Sequence, residues 1–253
     1  MGHQETYRHN DAYAGFLATQ DDGFFAKYAE TLQPARPGAR VLDVGCGVGQ
    51  VVRRWQAAGC DAHGVEVSEP SVERARAAGL NCVTYDGRHL PFPDGHFAAA
   101  GALNVLEHVE DPEAFIPELV RVVEPGGRVV ISSPNFFRVL GWQDYHHSMR
   151  GLRNKWRNLR RLLAKRRQRK TAPDAVRFDR MEPVFKEPFE PDDDAIIATN
   201  APEIGFFLER AGCVVERMEC TDRHVAGLVD WGLNLTPLRH GMFNAFVVAR
   251  KGR

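Results

Sequence analysis

At 253 residues, with 43% of them hydrophobic, the chain is long enough to bury a substantial core, and a single α/β domain carrying an insertion is the expected organisation. Lys+Arg and Asp+Glu both number 33, so no overall field points to nucleic acid or membrane, and any such partner needs a local patch. The five cysteines, Cys46, Cys60, Cys82, Cys213 and Cys220, form no C-x-x-C pair and sit along apolar segments, which reads as reduced core thiols rather than a disulfide framework or a metal site.

Residues 1–37 carry Tyr7, Tyr13, Phe16, Phe24, Phe25 and Tyr28 at spacings that predict short amphipathic helices forming an N-terminal cap. A β-rich run at 40–44 then breaks into VLDVGCGVGQ (41–50), in which Asp43 precedes three alternating glycines, Gly45, Gly47 and Gly49, before a helical pattern at 48–58. Glycine lets the main chain pass directly against a ligand, and a helix start offers unpaired N–H groups. The spacing is G-x-G-x-G, which fits neither the G-x-G-x-x-G dinucleotide loop nor a P-loop. A second strand at 61–66 ends in Glu66, seventeen residues after Gly49, where a carboxylate can accept both hydroxyls of a ribose. A nucleoside without phosphates is the implied ligand.

Helix 69–78 and strand 80–84 follow, and then Asp86-Gly87, which is either a surface turn or part of a ligand site at a strand end. Strand 97–103 leads to Asn104, Val105, Leu106, Glu107 and His108, and helix 112–123 leads to strand 127–133. Alternating strands and helices predict βαβ units, a parallel sheet, and a ligand crevice at the C-terminal strand ends.

The three stretches VLDVGCGVGQ, GVEVSE (64–69) and YDGRHLPFPDGHFAAAGALNVLEHVEDP (85–112) together resemble the class I methyltransferases that use S-adenosylmethionine, in the branch near the ubiquinone and small-molecule enzymes; the likeness covers roughly residues 38–135. It implies a Rossmann-like, seven-stranded, mostly parallel sheet with helices on both faces and a final antiparallel hairpin. It also implies S-adenosyl-L-methionine as cofactor, S-adenosyl-L-homocysteine as product, and a contact set of Asp43, Gly45, Cys46, Gly47, Gly49, Gln50, Glu66, Val67, Asp86, Gly87, Asn104, Val105 and Leu106. Within that set Asp86 would face the adenine amino group and Asn104–Leu106 the methionine portion, with Tyr7 or Tyr13 near the methionine end.

After the fifth strand the pattern is interrupted over 136–196. Residues 150–170 hold eleven Lys/Arg and no acid, and Met149, Leu152, Trp156, Leu159 and Leu163 recur at helical spacing, which predicts a basic amphipathic helix. Three readings stay open for it: a lid whose apolar stripe packs on the domain, a helix on an anionic membrane surface, or a polyanion-binding face. Residues 174–194 hold eight acids that would neutralise the helix, together with Phe178, Phe185 and Phe189, which suit the wall of an acceptor pocket. The acids Asp192, Asp193 and Asp194 are expected to point apart and stay solvated, so no metal site is expected with His146 and His147.

Residues 197–253 read as a C-terminal helix at 201–211, with Gly212 as its C-cap, and two last strands at 213–220 and 242–250. The expected function is methyl transfer to a small-molecule acceptor, a hydroxyl in the main reading, with N- or C-methylation, or a surface-binding module using 150–170, as the alternatives. The chain lacks an Asn-Pro-Pro-Tyr-like motif after its fourth strand, which, by the same resemblance, argues against the adenine and glutamine N-methylating branches, and a nucleic-acid partner is not expected. If a general base is needed, His146 or His147 is preferred and His108 is next, because imidazole titrates near neutrality. No leader-like start or apolar run of spanning length is present, so the expected location is the cytoplasm, with peripheral membrane contact left open.

Overall fold

The computed structural model describes residues 5–141, 144, 146–184, 192–235 and 237–253, without the side chains at 12, 13, 16 and 22. Phe185, Phe189 and the side chains of Tyr13 and Phe16 therefore lie outside the described set. In chain order the elements are α1 (Glu5–Arg8), α2 (Asp11–Ala18), α3 (Asp22–Leu32), β1 (Arg40–Val44), α4 (Gln50–Ala57), β2 (Asp61–Glu66), α5 (Glu69–Ala77), β3 (Cys82–Thr84), β4 (Phe97–Leu103), α6 (Pro112–Arg121) and β5 (Val123–Pro134). There follow α7 (Leu152–Thr171), β6 (Asp179–Arg180), β7 (Ile197–Ala198), α8 (Ala201–Arg210), β8 (Cys213–Glu219), α9 (Gly227–Asn234) and β9 (Asn244–Lys251).

The main sheet has seven strands in the order β3-β2-β1-β4-β5-β9-β8. Strands β1 to β5 are parallel, and β9 runs antiparallel to both β5 and β8. The strand order reverses between β1 and β4, which opens a crevice at their C-terminal ends. Central strands covered on both faces need apolar residues at successive positions. Val41, Leu42 and Val44 are fully buried. Leu42 and Val44 join the core under α6 and α8, while Val41 joins the core under α3 and α4, as the two-residue period of a strand requires.

Helix boundaries follow local chemistry. The Asp111 carboxylate accepts from Ala114 N–H at 3.0 Å ahead of α6, and the Asn200 side-chain oxygen accepts from Glu203 N–H at 3.0 Å ahead of α8. The last two strands pair antiparallel as expected, with α9 and a 3-10 turn at Pro237–Gly241 between them.

The insertion differs more. Helix α7 forms where the charge run predicts it, but the stripe does not pack as a unit: Met149 is buried, while Leu152, Trp156 and Leu163 face solvent. The buried residue of α7 is polar: Asn158 donates through Nδ2 to the Arg138 carbonyl at 3.1 Å. Arg161 pairs with Asp179 at 2.6 Å, and Lys165 pairs with Asp179 at 2.7 Å and Glu203 at 2.8 Å. The acidic stretch thus neutralises one side of the basic helix, and those ion pairs orient it.

Candidate functional site

A cavity of about 970 Å³ opens at the C-terminal ends of β1, β2 and β4. Its floor includes Asp43, Gly45, Cys46, Gly47, Gln50, Glu66, Val67, Tyr85, Asn104 and Val105. The N-terminal helices cover it through Tyr7, Leu17 and Phe24, and the remaining walls include Arg138, Asp192, Asp194, Thr221, Arg223 and Phe243.

The three glycines of the turn have separate jobs. Gly45, Gly47 and Gly49 have φ of +76°, +52° and +85°, a region closed to most side chains. A Cβ on Gly49 would lie 2.5 Å from Leu80 Cδ1, so this glycine seats α4 against the neighbouring elements and is absent from the cavity wall. Gly45 and Gly47 reach the wall, and Gln50 Nε2 donates to the Leu17 carbonyl at 2.7 Å, tying the cap to the turn.

Glu66 is held at the rim of β2 by three backbone donors: Val67 and Ser68 N–H reach Oε1 at 2.7 and 3.0 Å, and Gly47 N–H reaches Oε2 at 3.0 Å. A carboxylate offers about four lone-pair sites, so one remains able to accept from a further donor. Burial pushes the Glu66 carboxyl upward and the three N–H groups pull it down. Asp43, also buried, accepts from Tyr28 Oη at 2.9 Å, and burial raises its carboxyl to about 7.

Not every expected contact faces the cavity. Asp86 is exposed and accepts from Arg88 and His89 N–H at 2.8 and 2.7 Å; it organises a turn with Gly87, and neither residue lines the cavity. The residue reaching the wall there is Tyr85. Leu106 is fully buried in the core, while Asn104, at φ +52°, bends the chain so that Val105 is presented.

A 3-10 turn at Leu106–His108 separates Glu107 from His108 by about a third of a turn. Glu107 goes inward with 0% exposure, and His108 goes to the cavity wall. Ser133 Oγ lies 2.8 Å from both Glu107 Oε2 and Thr199 Oγ1, and Thr199 Oγ1 donates to the Pro134 carbonyl at 2.6 Å. Each hydroxyl has one proton, so all three bonds form together when Glu107 is the protonated donor. Burial raising its carboxyl to about 7 agrees with that.

His108 Nδ1 is 3.3 Å from Tyr7 Oη and 3.8 Å from Asp194 Oδ2; its Nε2 is 3.9 Å from Glu107 Oε1. Tyr7 Oη also donates to Asp194. Here the acid run departs from expectation. Asp192 adopts φ +61°, and the turn folds Asp193 and Asp194 inward, 1% and 8% exposed, instead of leaving them solvated.

His146 and His147 stand elsewhere. His146 is buried, takes a hydrogen bond from Ser148 N–H at 3.2 Å and stacks edge-on with Phe136; His147 is exposed, and neither lines the cavity. The ligand-type atoms of His146, His147 and Asp193 lie within 4.8 Å of one another, as do those of Glu107, His108 and Asp192. Both sets offer donors that suit a divalent cation.

Sequence reasoning missed Tyr85, Arg138, Thr221, Arg223 and Phe243. The first directly follows β3, next to the residue that the sequence favoured; the others reach the cavity only because the insertion and the β8–β9 connection fold back over it.

Residues 42–131 match the family model described as "Methyltransferase domain". A ubiquinone biosynthesis O-methyltransferase from Bordetella avium is 33% identical over 116 residues, 43% of this chain and 48% of the relative. A 27-O-demethylrifamycin SV methyltransferase from Amycolatopsis mediterranei is 36% identical over 107 residues, 39% of each chain. The match therefore spans less than half the length of either relative. Among solved structures, an S-adenosylmethionine-dependent methyltransferase from Mesorhizobium loti superposes with a TM-score of 0.59 at 20% identity, over 91% of this chain and 99% of the other. Residues 42–131 therefore carry a methyltransferase domain, and the glycine turn, the acid ending β2 and the sheet order are similar to those of S-adenosylmethionine-dependent methyltransferases of class I.

Proposed function

We propose that this chain methylates a hydroxyl of a small molecule, with the cofactor along the glycine turn and the acceptor beside His108. The observation that carries the proposal is the position of His108 on the cavity wall, with carboxyl oxygens 3.8 and 3.9 Å from its two ring nitrogens. On this reading Asp43, Gly45, Cys46, Gly47, Gln50, Glu66 and Val67 hold the cofactor, joined by Asn104 and Val105. The free lone-pair site on Glu66 and the positive-φ glycines, whose backbone carries no side chain toward the cavity, fit a ribose and its attached groups. S-adenosylmethionine, when bound, supplies a methyl made electrophilic by its sulfonium.

The chain's part is to orient the acceptor and take its proton. His108 accepts the hydroxyl proton, and the Asp194 carboxylate stabilises the imidazolium that results. Tyr7, donating to Asp194, fixes the carboxylate and closes the cavity from the N-terminal side. Arg138, Asp192 and Asp194 make the insertion a wall of the acceptor space. The two relatives support a small-molecule acceptor: one is named for O-methyl transfer in ubiquinone biosynthesis and the other for 27-O-demethylrifamycin SV.

An amine acceptor is the second reading, favoured by Asp192 and Asp194 on the wall, which attract a cation. Mass spectrometry of candidate acceptors for a gain of one methyl separates the two when run with His108→Gln. Loss of a base should slow hydroxyl methylation by roughly 100-fold or more while cofactor affinity holds. Turnover unchanged in that variant would remove His108 from the mechanism.

A further inference from the structure

The outward face of α7 is built of two kinds of side chain that a water-exposed helix rarely combines. Leu152, Trp156 and Leu163 are 79%, 67% and 57% exposed. At 100° per residue they fall within a narrow sector, and Arg153, Arg157, Arg160 and Arg167, all exposed, occupy the sector beside it. Among the described residues no acid pairs with these four, whereas Lys155, Arg161 and Lys165 on the other side are committed to Asp144, Asp179 and Glu203. The helix is thus fastened by its polar side and shows water its apolar side.

A second exposed apolar group, Leu228, Trp231, Leu235 and Leu238, lies on α9 and the 3-10 turn that follows it. That turn ends at Gly241, beside Leu162 of α7. Val229 of the same helix is half-exposed and lines the cavity.

We infer that the outer face of α7 docks on the surface of a bilayer containing anionic lipids. Guanidinium groups meet lipid phosphates, the indole of Trp156 takes the interfacial level, and the leucines enter the acyl boundary. Charge complementarity alone would also suit a nucleic acid. Leu152 and Leu163, however, gain nothing from a phosphate backbone and gain burial in lipid, which decides for the bilayer. No described helix is long and apolar enough to cross a membrane, so the contact is peripheral. Together with the methyl-transfer reading, Val229 at the cavity mouth then makes an amphipathic, lipid-dissolved acceptor the natural class.

The test is co-sedimentation of the whole chain with vesicles of phosphatidylcholine alone and of phosphatidylcholine mixed with phosphatidylglycerol, at low and high salt. Binding should appear with phosphatidylglycerol at low salt and weaken with salt. Changing Arg153, Arg157, Arg160 and Arg167 together to Gln should weaken it by roughly tenfold or more. Changing Leu152, Trp156 and Leu163 together to Ser should weaken it at both salt levels, and calorimetric S-adenosylmethionine binding should be unchanged in each variant, confirming the fold. A wild-type chain left in the supernatant with phosphatidylglycerol vesicles at low salt overturns the inference. So does a Ser variant that sediments like wild type, which would mark the face as a general polyanion binder.

Discussion

Tyr7 donates its hydroxyl hydrogen bond to Asp194, joining the first described helix to the end of the acidic stretch 187 residues later, beside the edge of the His108 ring. The contact is buried, so it holds the N-terminal cap and the insertion together across the cavity. Tyr7→Phe should lower stability by about 1.5 kcal/mol, a fall in Tm of roughly 3–6 °C. It should also slow turnover more than it weakens cofactor affinity. Scanning calorimetry and steady-state kinetics check the pair of effects, and a variant equal to wild type in both would show that the cap is held by other contacts.

Stability should fall as pH rises through the Glu107 transition. Its carboxyl sits near 7 in the fold against an ordinary value of 4.5, so between these limits the native state binds more protons than the unfolded chain. The favourable contribution is complete below the ordinary value and is lost by about 7, with a slope of at most roughly 1.4 kcal/mol per pH unit. Asp43, raised to about 7 by burial, adds a slope of the same sign. Glu107→Gln keeps a donor for Ser133 without a titrating group, so urea unfolding across pH ~5 to ~8 should show a shallower slope. A slope as steep as wild type would exclude Glu107 as a source.

Replacing Glu66 with Ala removes the acceptor for three backbone N–H groups and the carboxylate assigned to the ribose. Cofactor affinity should weaken by about 10- to 100-fold, the range for hydrogen bonds to a charged group. Titration calorimetry on a folded variant decides it, because an unchanged dissociation constant would move the ribose away from Glu66.

The glycine turn offers a contrast between two neighbours. Gly47→Val forces a branched side chain into a left-handed position at the cavity wall, so cofactor binding should be lost while most of the fold persists. Gly49→Ala places its methyl 2.5 Å from Leu80, off the cavity, so it should lower stability by about 1–3 kcal/mol and affect the cofactor less. Equal losses of binding in both would mean that the turn acts only as a rigid unit.

These contrasts mark where the sequence was readable. The spacing of glycines and acids in VLDVGCGVGQ and GVEVSE announced a strand, a turn and a ligand edge because each residue acts through its own backbone or its nearest neighbours. The parallel βαβ core followed from alternating patterns. By contrast, Asp86 and Tyr85 are adjacent, and choosing which faces the cavity needs the strand's rotation, which no local signal records. His146 and His147 looked suited to proton transfer by type and by their place after the fifth strand, yet His146 packs edge-on against Phe136 and neither lines the cavity. The helix over 150–170 was evident from periodicity, but its orientation was not. Hydrophobicity argues for leucine inward, and the partners Asp179 and Glu203, distant in sequence, turn it the other way.

The insertion leaves and rejoins the sheet at one clasp: Phe136 N–H donates to the Thr199 carbonyl at 3.0 Å, and Thr199 Oγ1 donates to the Pro134 carbonyl at 2.6 Å. With its ends already held together, the length of what lies between them has little influence on the strands they join. Such a junction works as an exchange point. Descendants of this chain can lengthen, shorten or replace the segment, and with it the molecule they modify, while the half of the cavity formed by β1 and β2 is inherited unchanged.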